Sequence, residues 1–321
     1  MTDEELLLVD IPPTQWASHG LVPFPGLVAL SGRPESYKTF FCLHVARQIA
    51  LGKSTFEDVE APVGKSDVGE PAAVLFIEDE NSLNLMKERM SLLRGSEAVP
   101  GLYYLIQEGF KATNEEDRTE LVTFCQEKGI RVIFMDPFSS VAGLNDENNN
   151  AEVAKVMDIL RLEFVAKGIS VVFIHHPSKG DEGGANLRGA GDILGKVDVH
   201  VTLERENVED NENKRVIAKF AKMRIADRSK FENFIFQLGS KGFEYCGTVK
   251  AQKSVNADKL KGGVLIALME GPLSSGELAD RLKVNRSGEA LRSCIKAMVE
   301  EGVMEKFGEG KDTKYRLKKT T

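Results

Sequence analysis

Short apolar runs alternate with longer amphipathic stretches over the first two thirds of the chain. The runs span residues 27–31, 73–78, 132–136, 171–175 and 197–203. Each of the first four is typical of a buried strand that ends in polar or small residues. The stretches between them predict helices over residues 39–51, 82–94, 116–128 and 151–167. This alternation predicts an α/β fold with a mainly parallel central sheet, in which ligands bind at the carboxyl ends of the strands.

Polar segments separate these elements. A highly charged segment, 204–215, is typical of a hairpin tip between strands 197–203 and 215–222. Residues 1–25 contain four prolines and predict an irregular N-terminal segment. The polar residues 247–256 predict a linker between two domains. Surface loops are expected over residues 52–71, 145–150 and 178–188.

The C-terminal part of the chain has a different pattern. Helices are predicted over 257–270, 275–282 and 287–301, and strands over 303–307 and 314–317. The four residues from Ser274 to Glu277 form a capping-box pattern that should begin the second helix. The order helix–helix–helix–hairpin resembles a winged helix. We therefore expect an N-terminal segment (1–25), an α/β domain (26–250) and a small α+β winged-helix domain (257–321).

Composition places the chain among ordinary globular proteins. It has 321 residues, of which 42% are hydrophobic and 28% charged. The longest apolar runs are far shorter than the ~18 residues of a membrane helix, and the N-terminus lacks the pattern of a signal peptide. The four widely spaced cysteines (Cys42, Cys125, Cys246 and Cys294) argue against a disulfide framework or a zinc site. A cytoplasmic location without membrane contact is expected.

Charge is distributed unevenly between the two predicted domains. The whole chain has a net charge of −7, which argues against a generally basic nucleic-acid coat. Residues 253–321 hold 14 Lys and Arg against 10 Asp and Glu, whereas the remainder holds 28 against 39. A small basic module therefore follows a larger acidic one.

The first strand leads into a segment that nearly matches the phosphate-binding pattern G-x-x-x-x-G-K-[ST]. Loop N–H groups and a helix N-terminus suit an anion, Lys38 adds a positive charge, and the Thr39 hydroxyl can ligate Mg²⁺. Tyr37 replaces the second glycine, and its Cβ could strain the loop. An ordinary turn with a chance Lys-Thr pair is the alternative. The candidate nucleotide-binding residues are Gly32, Arg33, Pro34, Glu35, Ser36, Tyr37, Lys38, Thr39 and Phe40.

Carboxylates follow the next two strands, where a nucleotide hydrolase needs them. The run 73–78 leads into Glu78, Asp79 and Glu80, and the run 132–136 ends in Asp136. One acid can hold Mg²⁺ beside the phosphate loop, and another can activate water. The alternatives are a solvated strand end for the triplet and a turn before Pro137 for Asp136.

The fourth strand ends in His175 and His176, and a glycine-containing loop follows. Two histidines without further ligands make a poor metal site. We interpret His176 as a polar sensor of the γ-phosphate, although a lone histidine at this place is more often structural. Lys179 and Arg188 in the loop suit a contact with nucleic-acid phosphates, and a solvated loop is the alternative.

Taken in order, these motifs resemble the RecA-fold hexameric ATPases, most closely the RepA-like branch of the helicase-type ATPases. The resemblance covers about residues 16–250. It rests on LVPFPGLVALSGRPESYKT, VLFIEDENS, VIFMDPFSSV, DENNNAEVAKVMDILR, VVFIHHPSKG, LRGAGDILGKVD and AKMR. It implies ATP and Mg²⁺ as ligands, with Thr39 and Asp136 at the metal. It also implies catalytic roles for Glu80, Asp136 and His176.

The string AKMR resembles the Lys-x-Arg pair with which hexameric helicases reach a neighbouring subunit's γ-phosphate. The resemblance assigns that role to Lys222 and Arg224, and a solvated strand end is the alternative. A homo-oligomer, expected to be a hexameric ring, follows because such a pair acts only across a subunit boundary.

The predicted winged helix is basic on its third helix and hairpin. Arg286, Arg292, Lys296 and Lys311, together with Lys306, Lys314 and Arg316, suit a DNA-binding face. A docking or oligomerisation module with solvated charges is the alternative.

The function expected from all of these features is ATP-driven action on single- or double-stranded DNA, as a replicative helicase of a plasmid, phage or mobile element. One alternative is a DNA-binding regulator whose ATPase controls assembly without unwinding. The other is a signalling or scaffolding ATPase whose winged helix binds protein.

Overall fold

The chain forms two compact units, Met1–Gly247 and Thr248–Thr321. The structure is a computed structural model that describes all residues except 11–13, 56–70, 95–96, 147–148, 176–189, 207–213, 229–230, 241, 286–288, 309, 311–312 and 319–321. Among the described helices, none combines the length and the apolar character needed to cross a membrane.

A large sheet forms the centre of the first unit. A separate antiparallel pair, β1 (Gln15–Ser18) and β2 (Val22–Phe24), precedes it. Within the described residues the large sheet has nine strands, in the order β5-β4-β6-β7-β3-β8-β9-β10-β11. These strands are β3 (Leu27–Ser31), β4 (Ala73–Glu78), β5 (Leu102–Ile106), β6 (Ile130–Asp136), β7 (Ser170–His175), β8 (Val199–Arg205), β9 (Arg215–Met223), β10 (Phe234–Gly239) and β11 (Gly242–Thr248).

The six strands from β5 to β8 in this order are parallel to their neighbours, whereas β9 is antiparallel to both β8 and β10. The prediction of an α/β fold with a mainly parallel sheet is therefore confirmed. Because parallel strands end at the same edge, the segments that follow β3, β4, β6 and β7 lie together.

Helices cover both faces of this sheet. Val28 and Leu30 of β3 point into one core, and Leu27 and Ala29 point into the other. This two-residue alternation is the geometry of a strand that is buried on both faces. The helices are α1 (Asp3–Leu7), α2 (Lys38–Ala50), α3 (Leu83–Arg94), α4 (Glu115–Lys128), α5 (Phe138–Ala142), α6 (Asn150–Ile159) and α7 (Ala190–Lys196). The first core contains residues of α2 and α3, and the second contains residues of α4 to α7.

Several sequence predictions for this unit need correction. Residues 1–25 are not irregular throughout, because they contain α1, β1 and β2, and Trp16 is buried in the first core. The predicted helix 151–167 is α-helical only to Ile159 and continues as a π-helical turn and a 3₁₀ turn. The strands β5, β10 and β11 were not predicted. β5 lies at the edge of the sheet, and its five residues are only partly buried, although their sequence LYYLI is an apolar run that favours a strand.

The second unit has its own hydrophobic core. This unit consists of α8 (Val249–Met269), α9 (Ser275–Leu282), α10 (Glu289–Glu300) and the antiparallel strands β12 (Met304–Phe307) and β13 (Lys314–Leu317). Ser274 and Glu277 form the predicted capping box at the start of α9. The core is built from Val264, Leu268, Leu278, Leu291, Ile295 and Met298, among others.

The predicted linker over 247–256 is wrong in its local structure. The helix α8 begins at Val249, eight residues before the predicted start. No glycine or proline occurs between Val249 and Lys261, so the helix can extend through this polar stretch.

Candidate active site

The loop between β3 and α2 brings its backbone close to β8. Gly32 begins the loop with φ of +158°. A Cβ at this position would lie 2.5 Å from the Ser36 hydroxyl oxygen and would also collide with the Leu203 carbonyl oxygen. Gly32 therefore permits the tight turn that directs the chain from the end of β3 into the loop.

Tyr37 adopts the left-handed backbone conformation at the position where the motif usually has glycine. Its φ is +61° and its ψ is +25°, at the N-terminus of α2. The ring lies edge-on to Phe40 with centroids 6.5 Å apart, and the Arg205 guanidinium lies 5.5 Å from the ring centroid. The side chain is thus half-buried against α2 and β8, which is how a residue with a Cβ fits here.

Lys38 is held inside the loop. Its Nζ donates to the carbonyl oxygens of Gly32, over 2.8 Å, and Arg33, over 2.7 Å. Burial lowers the pKa of Lys38, although the negative charges of Asp136 and Glu80 oppose this shift. The first N–H groups of a helix have no partner within it. The N–H groups at the start of α2 and the Lys38 ammonium therefore suit the phosphates of a nucleotide.

Thr39 joins this loop to the end of β6. Its hydroxyl donates to Oδ2 of Asp136 over 2.6 Å. Asp136 is almost fully buried. Burial, reinforced by the negative charge of Glu78, raises the pKa of Asp136 to about 7, although the Thr39 hydrogen bond acts in the opposite direction. A hydroxyl and a carboxyl oxygen side by side are oxygen ligands of the type that Mg²⁺ prefers. These two residues therefore fit the metal of a Mg²⁺–nucleotide complex.

The acidic triplet after β4 is divided among three environments. Glu78 is fully buried, and its Oε1 accepts hydrogen bonds from the backbone of Glu80 and from the backbone and side chain of Asn81. Burial raises the pKa of Glu78 in spite of these bonds. Asp79 forms an ion pair with Lys111. Glu80 is exposed, and its carboxylate makes no hydrogen bond or ion pair within the described part of the chain. Glu80 is thus the acid of this triplet that solvent can reach.

Arg89 is a second cation at this site, and sequence reasoning missed it. It lies on α3 with its guanidinium 5.5 Å from the Phe40 ring centroid. Its charge favours the ionised forms of Glu78 and Asp136. One terminal nitrogen, Nη1, is buried without a hydrogen-bond partner among the residues that the structure describes. No motif in the sequence marks Arg89, because only the packing of α3 against α2 brings it here.

Two buried histidines lie beside the end of β3. His175 is the last residue of β7, as predicted, and pairs in register with Ser31. The Ser31 hydroxyl and His200 Nε2 are 2.8 Å apart. Burial, followed by the positive charges of His175 and Lys222, lowers the pKa of His200 to about 4. His200 is therefore neutral at physiological pH, and no sequence motif marks it.

Lys222 and Arg224 lie toward the start of the parallel strands, away from the phosphate loop, with Lys222 paired to His200 and Arg224 two residues further from the loop. The backbone N–H of Arg224 donates to the Asp198 carbonyl, and Asp198 in turn contacts Leu27 at the start of β3. The phosphate loop follows the end of β3, four residues or ~13 Å further along the strand. Both side chains donate to carbonyls of α7, Lys222 to that of Leu194 and Arg224 to that of Gly195. The structure therefore does not bring this pair to the nucleotide site of its own chain.

The remaining predicted site residues divide into two groups. Arg292 and Lys296 are exposed on α10 of the second unit. The others lie outside the described residues, and these are His176, Lys179, Arg188, Arg286 and Lys311.

Comparisons with known proteins agree with this geometry. The family described as AAA domain (AAA_25) matches residues 2–182, more than half of the chain. A solved structure of an ATPase domain superposes with a TM-score of 0.52 at 14% sequence identity, over 68% of this chain and 84% of that one. A search of curated protein sequences found no match. The superposition supports a RecA-like P-loop fold, and from the family match together with the Lys38–Thr39–Asp136 arrangement we conclude that the chain belongs to the AAA domain family of P-loop ATPases.

Proposed function

We propose that this protein is an ATP-hydrolysing motor that acts on DNA, as a RepA-like replicative helicase of a plasmid, phage or mobile element. The observation that carries the proposal is the 2.6 Å contact between Thr39 and Asp136. This contact joins a loop of the phosphate-binding pattern to a strand-end carboxylate, and it supports the binding of a Mg²⁺–ATP complex here. The exposed carboxylate of Glu80 is the proposed base that activates water for hydrolysis.

Each residue of the site has its own proposed role in hydrolysis. Lys38 and the N–H groups at the start of α2 bind the phosphates, and Thr39 and Asp136 hold the metal. Mg²⁺ supplies charge neutralisation of the β- and γ-phosphates when it is bound. Glu80 orients and deprotonates the attacking water. Arg89 adds positive charge on the side of α3, where its Nη1, which has no partner among the described residues, can donate to an anion.

A ring of subunits would bring Lys222 and Arg224 to a nucleotide. Arg224 is level with the start of β3, Lys222 lies two residues nearer its end, and the phosphate loop follows that end. A head-to-tail assembly pairs two such different surfaces, and it closes into a ring when its rotation permits. In such a ring, which we propose to be a hexamer, the pair contacts the γ-phosphate held by the neighbouring subunit. His176 would sense the same phosphate from the end of β7.

The second unit, which we propose to be a winged helix, supplies a DNA-binding surface. A cavity of about 360 Å³ beside α10 has a partly apolar floor that includes Ile295 and Tyr315. Three cations, Arg292, Lys296 and Lys306, line it against one acid, Glu300, which lies 3.9 Å from Lys296. Lysines and arginines beside a helix that can enter the major groove are typical of DNA recognition. Arg286 and Lys311 of this unit, and Lys179 and Arg188 of the first, are proposed as further phosphate contacts.

ATP hydrolysis should be measured with and without single-stranded DNA. We expect the wild type to hydrolyse ATP and to be stimulated by the DNA, and Lys38→Ala to bind ATP weakly. Lys128→Ala, at an exposed lysine of α4, is the control and should behave as the wild type. Stimulation without displacement of a strand from a forked duplex would favour the DNA-binding regulator. A rate of ATP hydrolysis that does not change with DNA would favour the scaffolding ATPase.

DNA binding by the second unit has a separate test. Arg292→Glu and Lys296→Glu in the full chain should each weaken binding to labelled DNA and reduce its dependence on salt, since each removes a phosphate contact. Lys259→Glu, on an exposed position of α8, is the matched charge reversal and should have a smaller effect. Equal losses in all three variants would indicate a general effect of net charge.

A further inference from the structure

Lys111 connects three segments around the acidic triplet. It lies in the segment between β5 and α4. Its Nζ lies 2.5 Å from Oδ2 of Asp79 and donates to the Ser140 carbonyl oxygen over 2.9 Å. The Ser140 hydroxyl donates to the same carboxylate oxygen of Asp79. The side chain of Lys111 thus ties the segment after β4 to α5, the short helix that follows Asp136.

The backbone around Lys111 is fixed as firmly as its side chain. Its N–H donates to Oδ2 of Asp117 over 2.7 Å. The next two N–H groups, of Ala112 and Thr113, donate to carbonyls of Val141 and Ala142 over 2.8 and 3.1 Å. This segment therefore lies directly on α5, and the backbone position of Lys111 is set independently of its ion pair.

Gly143 permits this close approach. It ends α5 in the left-handed conformation, with φ of +73°. A Cβ at Gly143 would lie 3.0 Å from the Cβ of Lys111 and would collide with the Thr113 hydroxyl. The contact between residues 111–113 and α5 therefore depends on a glycine at the end of α5 and on the Lys111 side chain.

These contacts determine which acid of the triplet remains available. Burial alone would raise the pKa of Asp79, but the hydrogen bonds from Lys111 and Ser140 outweigh it and lower the pKa. The Asp79 backbone N–H also donates to the Asp136 carbonyl over 3.0 Å. Asp79 is consequently held by its side chain and its backbone together, one residue before Glu80.

We propose that Lys111 is a positioning residue for hydrolysis, which fixes the backbone that carries Glu80 by holding the neighbouring Asp79. The inference rests on the proposed hydrolysis of ATP, with Glu80 as the base. Lys111 contacts Asp79, Ser140 and Asp117, and none of these bonds reaches the phosphate loop. Its loss should therefore slow turnover without weakening the binding of ATP. A displacement of a catalytic group by about 1 Å can cost about 100-fold in rate.

Steady-state hydrolysis and equilibrium ATP binding, measured on the full chain, test this role. We expect Lys111→Met to lower kcat about tenfold or more, and to leave the Kd for ATP within about twofold. Lys111→Arg should recover most of kcat, because an arginine can pair with the same carboxylate. Lys219→Met is the matched control. Lys219 also lies 2.5 Å from a carboxylate, that of Glu204, and its side chain is 39% exposed against 37% for Lys111.

A double variant separates positioning from general stability. Asp79→Asn combined with Lys111→Met should have about the kcat of Lys111→Met alone, since both changes break one contact. Should Lys111→Met fail to fold, Ser140→Ala removes the hydroxyl that donates to Asp79 and accepts from Lys111 Nζ over 3.4 Å, and it leaves the Lys111–Asp79 ion pair. It should lower kcat by a smaller factor.

Three results would overturn the inference. The first is a wild-type kcat in Lys111→Met. The second is an equal fall of kcat in Lys219→Met. The third is a double variant whose kcat falls by the product of the two single effects. A wild-type protein that hydrolyses no ATP would instead refute the proposed function itself, and the role of Lys111 with it.

Discussion

The Thr39 hydroxyl donates to the Asp136 carboxylate over 2.6 Å, and this bond joins the phosphate loop to the last residue of β6. Because burial raises the pKa of Asp136 to about 7, the protein without nucleotide holds a proton there under mildly acidic conditions. A protonated carboxyl group is a poor metal ligand.

The affinity for Mg²⁺–ATP should therefore depend on pH. With a pKa of about 7, the affinity should rise about tenfold between pH 6 and pH 8, since only the ionised form of Asp136 binds the metal. Asp136→Asn should bind weakly and lose this dependence. Titration of nucleotide by calorimetry at several pH values measures both, and an affinity independent of pH in the wild type would contradict the prediction.

The same raised pKa predicts how stability without nucleotide changes with pH. The folded state binds the Asp136 proton more tightly than the unfolded state, so this contribution to stability is complete below about pH 4 and is lost as the pH rises through about 7. Relative to Asp136→Asn, the wild type should become more stable when the pH falls from 8 to 6. Urea denaturation at the two pH values provides the comparison.

Replacing Glu80, the carboxylate proposed to activate water, should separate nucleotide binding from turnover. Glu80→Gln should lower kcat by about 100-fold or more and leave the Kd for ATP within a few-fold, because only the proposed base is changed. Glu78→Gln is the informative companion, since Glu78 is buried beside Asp136 and accepts three hydrogen bonds. If Glu80→Gln turns over normally and Glu78→Gln does not, the base is Glu78.

The Tyr37 side chain should contribute little to nucleotide affinity. Its ring packs against Phe40, and its backbone already has the left-handed conformation that glycine adopts readily. Tyr37→Gly should therefore leave the Kd for ATP within a few-fold. Tyr37→Phe, which keeps the ring, is the control. A wild type that binds no nucleotide, with binding restored by Tyr37→Gly, would mark a degenerate site and refute ATP hydrolysis.

Arg224 should act on the nucleotide of a neighbouring subunit. Arg224→Ala should keep ATP binding and assembly while kcat falls steeply, because the cation that stabilises the transition state is lost. Mixing it with Lys38→Ala protein should restore some activity, since interfaces that pair an intact Arg224 with an intact Lys38 become possible. Co-purification of differently tagged subunits must first show that they exchange. Full activity in Arg224→Ala, or in a clean monomer, would refute the shared site.

The sequence was sufficient for features that depend on neighbours along the chain. Short apolar runs between helical stretches identified β3, β4, β6 and β7 within two residues of their ends. The G-x-x-x-x-x-K-T spacing identified the phosphate loop, because its conformation is set by residues that follow one another. The capping box of α9 was found for the same reason.

Features that depend on distant contacts needed the tertiary structure. The positions of β5 at one edge of the sheet and of β10 and β11 at the other depend on strand pairing, which the residues of these strands do not specify by themselves. Arg89 and Lys111 carry no motif, and only the packing of α3 on α2 and of residues 111–113 on α5 brings them to the acidic triplet.

The placement of Lys222 and Arg224 shows most clearly which features the sequence determines and which need the tertiary structure. The sequence determined that two cations stand two residues apart near the end of a strand. The predicted hairpin also indicated that this strand runs antiparallel to β8. Only the tertiary structure decided that β8 lies beside β3, with Asp198 level with Leu27, and this pairing sets Arg224 away from the phosphate loop. It joins segments far apart in the chain, so the residues around Arg224 do not specify it by themselves.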